Sequence, residues 1–62
     1  LTPREIEVLQ LVAEGMTNAA VGAELGISGE TVKTHLSRVL AKLNAKDRTH
    51  AVSRALRLGL FP

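Results

Sequence analysis

The sequence predicts an all-α fold, a bundle of four short helices near residues 3–14, 18–25, 29–43 and 47–58. Three observations lead there. Apolar residues recur at helical spacing, most clearly Val32, Leu36, Val39, Leu40 and Leu43. Each apolar run follows a Thr, Ser or Asp that can cap a helix and precedes a Gly or Asn that can end one. The joints are short, and 62 residues suffice for one domain, 1–62. A chain of this length buries only about 60% of the surface its unfolded form exposes, so its core is small.

The first helix has the clearest start. Thr2 serves as N-cap and Pro3 takes the first helical position, where a missing N–H costs nothing. Glu5 completes a capping box, and Leu1 and Ile6 stand at the positions of a hydrophobic staple. Val8, Leu9, Leu11, Val12 and Ala13 cover too much of the circumference for one narrow stripe, which predicts a central helix contacted on two sides. Gly15 ends it. The second helix is short, capped by Thr17 and filled by Ala20, Val21, Ala23 and Leu25. Gly26 then takes positive φ, Ile27 follows, and Ser28 caps the third helix. Two helices joined through a short glycine turn form a helix-turn-helix.

The third helix buries Val32, Leu36, Val39, Leu40 and Leu43. At about 100° per residue its opposite face carries Glu30, Thr34, Ser37, Arg38 and Ala41, flanked by Thr31 and Lys33. Asn44 ends it in the left-handed conformation, which Asn tolerates. The fourth helix begins at Asp47 and stops at Gly59, with Ala51, Val52, Ala55, Leu56 and Leu58 as its apolar residues and Arg54 and Arg57 suiting its C-terminal dipole. The expected core is Ile6, Leu9, Val12, Val21, Leu25, Ile27, Val32, Leu36, Val39, Leu40 and Leu43.

Charge is unevenly spread. The net charge is only +2, yet residues 1–30 set Arg4 against Glu5, Glu7, Glu14, Glu24 and Glu30. Residues 31–62 set Lys33, Arg38, Lys42, Lys46, Arg48, Arg54 and Arg57 against Asp47 alone. That asymmetry predicts a basic face for a polyanion. Phe61 is the only aromatic residue, which disfavours base stacking on single strands. No constellation for catalysis is legible. Glu5 and Glu7 point to different sides of one helix, His35 and His50 lie on different helices without a third ligand, and cysteine is absent. The chain is therefore expected to be no enzyme, with no metal and no cofactor. No membrane span or signal peptide is visible, and a reducing, cytoplasmic setting is expected.

The third helix reads as a recognition helix. Thr34 and Ser37 are short hydrogen-bonding groups that allow close approach to base edges, and Lys33 can donate to guanine O6 and N7. Arg38 and Lys42 are placed to reach phosphates and hold register. The competing reading is a helical protein-interaction module. Such a module presents an apolar stripe, whereas this face is polar and basic. The fourth helix is the element with surface to spare. Thr49, His50, Val52, Ser53 and Leu56 offer a modest patch for a weak two-fold homodimer completed on double-stranded DNA, unless the helix only closes the bundle.

Several runs carry a family resemblance: Leu1-Thr2-Pro3-Arg4-Glu5, Val8-Leu9, Leu11-Val12-Ala13-Glu14-Gly15, Thr17-Asn18, Leu25-Gly26-Ile27-Ser28, Thr31-Val32-Lys33-Thr34-His35, Lys42-Leu43 and Arg48-Thr49. Together they resemble the LuxR/FixJ-type helix-turn-helix family across essentially the whole chain. The resemblance implies a bacterial transcription regulator's DNA-binding output domain, as in response regulators and quorum-sensing receptors, with an N-terminal regulatory domain preceding it. It implies that the third helix reads DNA and the fourth forms a homodimer. Carried residue by residue, it puts Lys33, Thr34, Ser37 and Glu30 among base contacts. It puts Thr17, Asn18, Ser28, Thr31 and Arg38 near phosphates, with His35 either there or in a structural hydrogen bond. The chain departs from the family pattern in four places. Ala19 and Ala20 replace a Lys-Glu pair, Gly22 replaces Ala at a helix cost of up to ~1 kcal/mol, Asn44 replaces Gly, and His50 replaces an acid.

Overall fold

The computed structural model describes residues 1–61, so Pro62, the last residue of the expected domain, lies outside the described residues. Four helices follow in order: α1 (Pro3–Ala13), α2 (Asn18–Leu25), α3 (Gly29–Leu43) and α4 (Arg48–Arg57). They form an all-α bundle in which α1 packs against each of the other three, as its broad apolar surface predicts. No described helix is long and apolar enough to cross a membrane.

The four N-caps fall where the sequence places them. Thr2, Thr17, Ser28 and Asp47 are extended, and each side-chain oxygen accepts the backbone N–H three residues on. At the first cap the box is complete, because the Thr2 N–H also donates to Glu5 Oε1 at 2.8 Å. Two stops have left-handed backbone at the cap itself. Gly26 has φ 71° and Asn44 has φ 52°, so Asn performs there what Gly does between α2 and α3. The expected ends shift by one residue. Glu14 and Leu58 are C-caps rather than helix interior, and Asp47 is the N-cap of α4.

The core is Val8, Leu9, Val12, Val21, Val32, Leu36, Val39, Leu43, Ala51 and Ala55. Ile6, Leu25, Ile27 and Leu40 are only half-buried, contrary to expectation. Val8, Ala51 and Ala55 take their place. The two alanines face inward, and small side chains let the α4 backbone lie close to α1 and α3. Val52 is half-buried against this cluster, whereas Leu56 and Leu58 are 63% and 58% exposed. Gly22 has a packing reason that helix propensity alone misses. A Cβ there would sit 2.5 Å from the Ile27 carbonyl oxygen, so the turn folds tightly onto α2 because nothing projects from this residue.

Candidate nucleic-acid interface

The outer face of α3 is built by exclusion. Once Val32, Leu36, Val39 and Leu43 are buried, helical geometry leaves Glu30, Lys33, Thr34, Ser37, Arg38 and Ala41 outside, and all six are exposed. No side-chain hydrogen bond ties Lys33, Ser37 or Arg38 to another described residue, so each is available to a partner. Thr34 is partly engaged: its hydroxyl donates to the Glu30 carbonyl at 3.2 Å. Its oxygen can still accept, and its methyl is a further surface for a base edge. Glu30 stands in the first turn, where the helix dipole favours a carboxylate.

The hydroxyls expected at phosphates are engaged locally but keep protons to give. Thr17 Oγ1 accepts from the Ala20 N–H at 3.1 Å, so its own O–H points elsewhere. Ser28 Oγ accepts from the Thr31 N–H at 3.0 Å and pairs with Thr31 Oγ1 at 2.9 Å. One hydroxyl proton of that pair lies between the two oxygens and the other is free. With Ala20 at the third position of α2, only the Thr17 half of its capping box forms.

Lys42 lies off this face. Its ammonium reaches back to α1 and donates to Glu5 Oε1 at 2.9 Å and Oε2 at 3.2 Å. The carboxylate side chain is 4% exposed and the lysine 47%. The Thr2 backbone N–H and then Lys42 hold the Glu5 carboxyl down at about 2, against a usual 4.5 and despite its burial. Glu5 thus links the start of α1 to the end of α3, a role that its capping position does not disclose. His35 is half-buried, and its Nδ1 is shut away without a hydrogen-bond partner, so the expected structural hydrogen bond is not made through that atom. His50 has a defined role instead. Its Nδ1 accepts the Lys46 backbone N–H at 2.9 Å, one residue before the Asp47 cap, while Asp47 Oδ1 accepts the His50 N–H, so the imidazole satisfies a backbone donor just ahead of α4 rather than closing a capping box.

Arg48 is the residue whose role sequence reasoning missed. Its guanidinium donates to Asn18 Oδ1 and to the Met16 carbonyl, both at 2.7 Å. Asn18 is the first residue of α2 and Met16 directly precedes its Thr17 cap, and α2 and α4 have no direct helix-to-helix packing among the described residues. The long arginine side chain crosses that gap. Asn18 and Arg48 line a cleft of about 260 Å³ together with Lys33, Leu36, Ser37 and Leu40. The start of α2 therefore opens directly onto the polar face of α3. The Arg48-Thr49 run was the only sign in the sequence.

Comparison with known proteins shows the family and the fold. Residues 1–55 match the family described as bacterial regulatory proteins, luxR family. The chain is 55% identical over 51 residues to the transcriptional regulatory protein LiaR of Bacillus subtilis, covering 82% of this chain and 24% of LiaR. It is 49% identical over 59 residues to the transcriptional regulatory protein DegU of Brevibacillus brevis, covering 95% of this chain and 25% of DegU. Among solved structures it superposes on the response regulator ChrA of a heme-sensing two-component system with a TM-score of 0.95 and 43% identity, covering 98% of this chain and 30% of ChrA. The chain thus spans about a quarter of the length of these curated relatives.

Proposed function

The chain belongs to the luxR family of bacterial regulatory proteins, and from that premise we propose that it binds double-stranded DNA as the output domain of a transcription regulator. The observation that carries this reading is the outer face of α3, where Lys33, Thr34, Ser37 and Glu30 are all exposed beside the capped start of α2. An α-helix fits the major groove, and short polar groups on its face let it come close to base edges. Lys33 then donates to guanine, Glu30 accepts from cytosine, and Ser37 and Thr34 read neighbouring bases. Thr17, Asn18, Ser28, Thr31 and Arg38 hold the backbone and set the register. His35 can join them only through its other ring nitrogen, and Lys42 is left out because Glu5 already engages it.

One such helix spans few base pairs, so a second copy is needed for a tight operator. Thr49, Ser53 and Leu56 form the exposed stripe of α4 that serves for pairing, with His50 and Val52 at its inner margin. The coverage of the relatives supports a regulatory domain elsewhere in a longer protein, with this chain as its output unit.

Selection of bound duplexes from a random pool, followed by sequencing, tests the reading. The expected product is an inverted repeat with half-sites about one helical turn apart or less. A bound fraction with the composition of the input pool would reject sequence-specific recognition. Leu56→Arg tests the pairing separately, because its exposure lets the fold tolerate the change. Binding to the inverted repeat should weaken and lose its two-to-one stoichiometry. Undiminished two-to-one binding would remove α4 from the interface.

A further inference from the structure

We propose that Arg48 is a positioning residue for DNA-backbone binding, acting by fixing the side-chain amide of Asn18; this rests on the DNA-binding reading above. An asparagine amide has one accepting oxygen and one donating nitrogen. A phosphate needs the nitrogen. An unrestrained Asn at a helix start can rotate and offer either end. Here Arg48 Nη1 donates to Asn18 Oδ1 at 2.7 Å, so the oxygen is occupied. The Asn18 NH₂ is left as the free end, in the same cleft that Lys33 and Ser37 line. Arg48 cannot swing away cheaply, because Nη2 is tied to the Met16 carbonyl at 2.7 Å. That carbonyl lies just before the Thr17 cap. Two acceptors on one planar guanidinium therefore set both the backbone entering α2 and the side chain at its first residue.

This assignment also explains why a cation is used without touching DNA. A planar fork can satisfy two acceptors at once, whereas the ammonium of lysine is a point donor on a flexible stem. Arg48 further joins α4 to the start of α2, which do not otherwise pack together. The helix offered for pairing is thereby linked to the helix start offered to the backbone.

The test is a double-mutant cycle on the chain with a short mixed-sequence duplex, at a temperature where circular dichroism shows every variant folded. Arg48→Gln and Asn18→Ala should each weaken binding about five- to tenfold, the loss of about one hydrogen bond. In the Asn18→Ala background, Arg48→Gln should cost clearly less than in the parent, leaving only what the tie to the Met16 carbonyl contributes. The salt dependence should be unchanged, because a neutral amide releases no counterion. Arg48→Lys should fail to restore affinity, since it keeps the charge and loses the fork. Without DNA, nitrogen-15 relaxation should show the Asn18 side-chain amide rigid in the parent and mobile in Arg48→Gln. A salt slope reduced by about 0.9 in Arg48→Gln would mean that Arg48 itself touches a phosphate, and overturns the proposal. Additive losses, rescue by lysine, or unchanged affinity with a lowered melting temperature would overturn it as well. If the parent chain binds no duplex, the DNA reading falls and this role with it, whereas binding by the parent with Arg48→Gln unaffected rejects the role alone.

Discussion

Lys33 and Lys42 stand on one face-divided helix, and their surroundings differ completely. Lys33, in the first half of α3, is exposed and has no salt-bridge partner among the described residues. Lys42, in the last turn, is held by a buried carboxylate from the first turn of α1. The first half of α3 makes only local polar bonds, from Ser28 to Thr31 and from Thr34 to Glu30. The last turn makes a bond that closes the bundle. A cation on a helix surface is thus a candidate ligand group or a structural tie according to what α1 brings opposite it, and the residue type alone does not decide which.

The comparison breaks most completely if the two halves stop sharing a core. Leu36 is 7% exposed beneath both, so Leu36→Ala should cost about 2–5 kcal/mol in chemical denaturation, through lost burial and a residual cavity. An unchanged midpoint would mean that the buried face of α3 is wrongly assigned.

The two lysines should then separate by readout. Lys33→Ala should lose about 1–3 kcal/mol of discrimination at particular base pairs, visible as relaxed preference in the selected pool. Its stability should stay within about 0.5 kcal/mol of the parent, as for other exposed positions. Lys42→Met should do the reverse. It should lower stability by about 1–2 kcal/mol, because a charge-assisted bond to a buried carboxylate is lost while the lysine side is half open to water. Its preferred sequence should be unchanged. A lower salt slope in Lys42→Met would return that lysine to the phosphate contacts, and a shifted operator preference would place it on the reading face.

Acid titration sharpens the same contrast. Glu5 binds its proton less readily folded than unfolded, because its carboxyl is held at about 2 rather than 4.5. Its contribution is therefore present in full above about 4.5 and is lost as pH falls through the window from 4.5 to about 2. Glu5→Gln should be less stable at neutral pH and should show a flatter stability profile across that window. Equal profiles in Glu5→Gln and the parent would remove the pair as a contributor. The smallest expected effect belongs to Arg38→Ala, which should weaken all duplexes about equally and lower the salt slope by about one phosphate's worth. A change in preferred sequence there would move Arg38 into the base-reading set.

Every helix start and stop is legible in the sequence to within a residue. Those signals act across three or four positions: Thr2 with Glu5, Ser28 with Thr31, Asp47 with His50, and left-handed Gly26 and Asn44. The outward-facing residues of α3 are legible there too, because helical periodicity is a local property. Family membership was legible for the same reason, in short contiguous runs. Packing between helices settles what local spacing cannot carry. Lys42 meets Glu5 across 37 positions, and Arg48 meets Asn18 and Met16 across 30 and 32. Ala51 and Ala55 became core because alanine suits either side of a helix and only a neighbour's approach selects one. Val52 and Leu56 read alike in the sequence, yet one packs against the core and the other is 63% exposed. Gly22 reads as a weak helix residue until the Ile27 carbonyl is seen against it. In each case the deciding group comes from another part of the chain, and its arrival depends on how the helices pack.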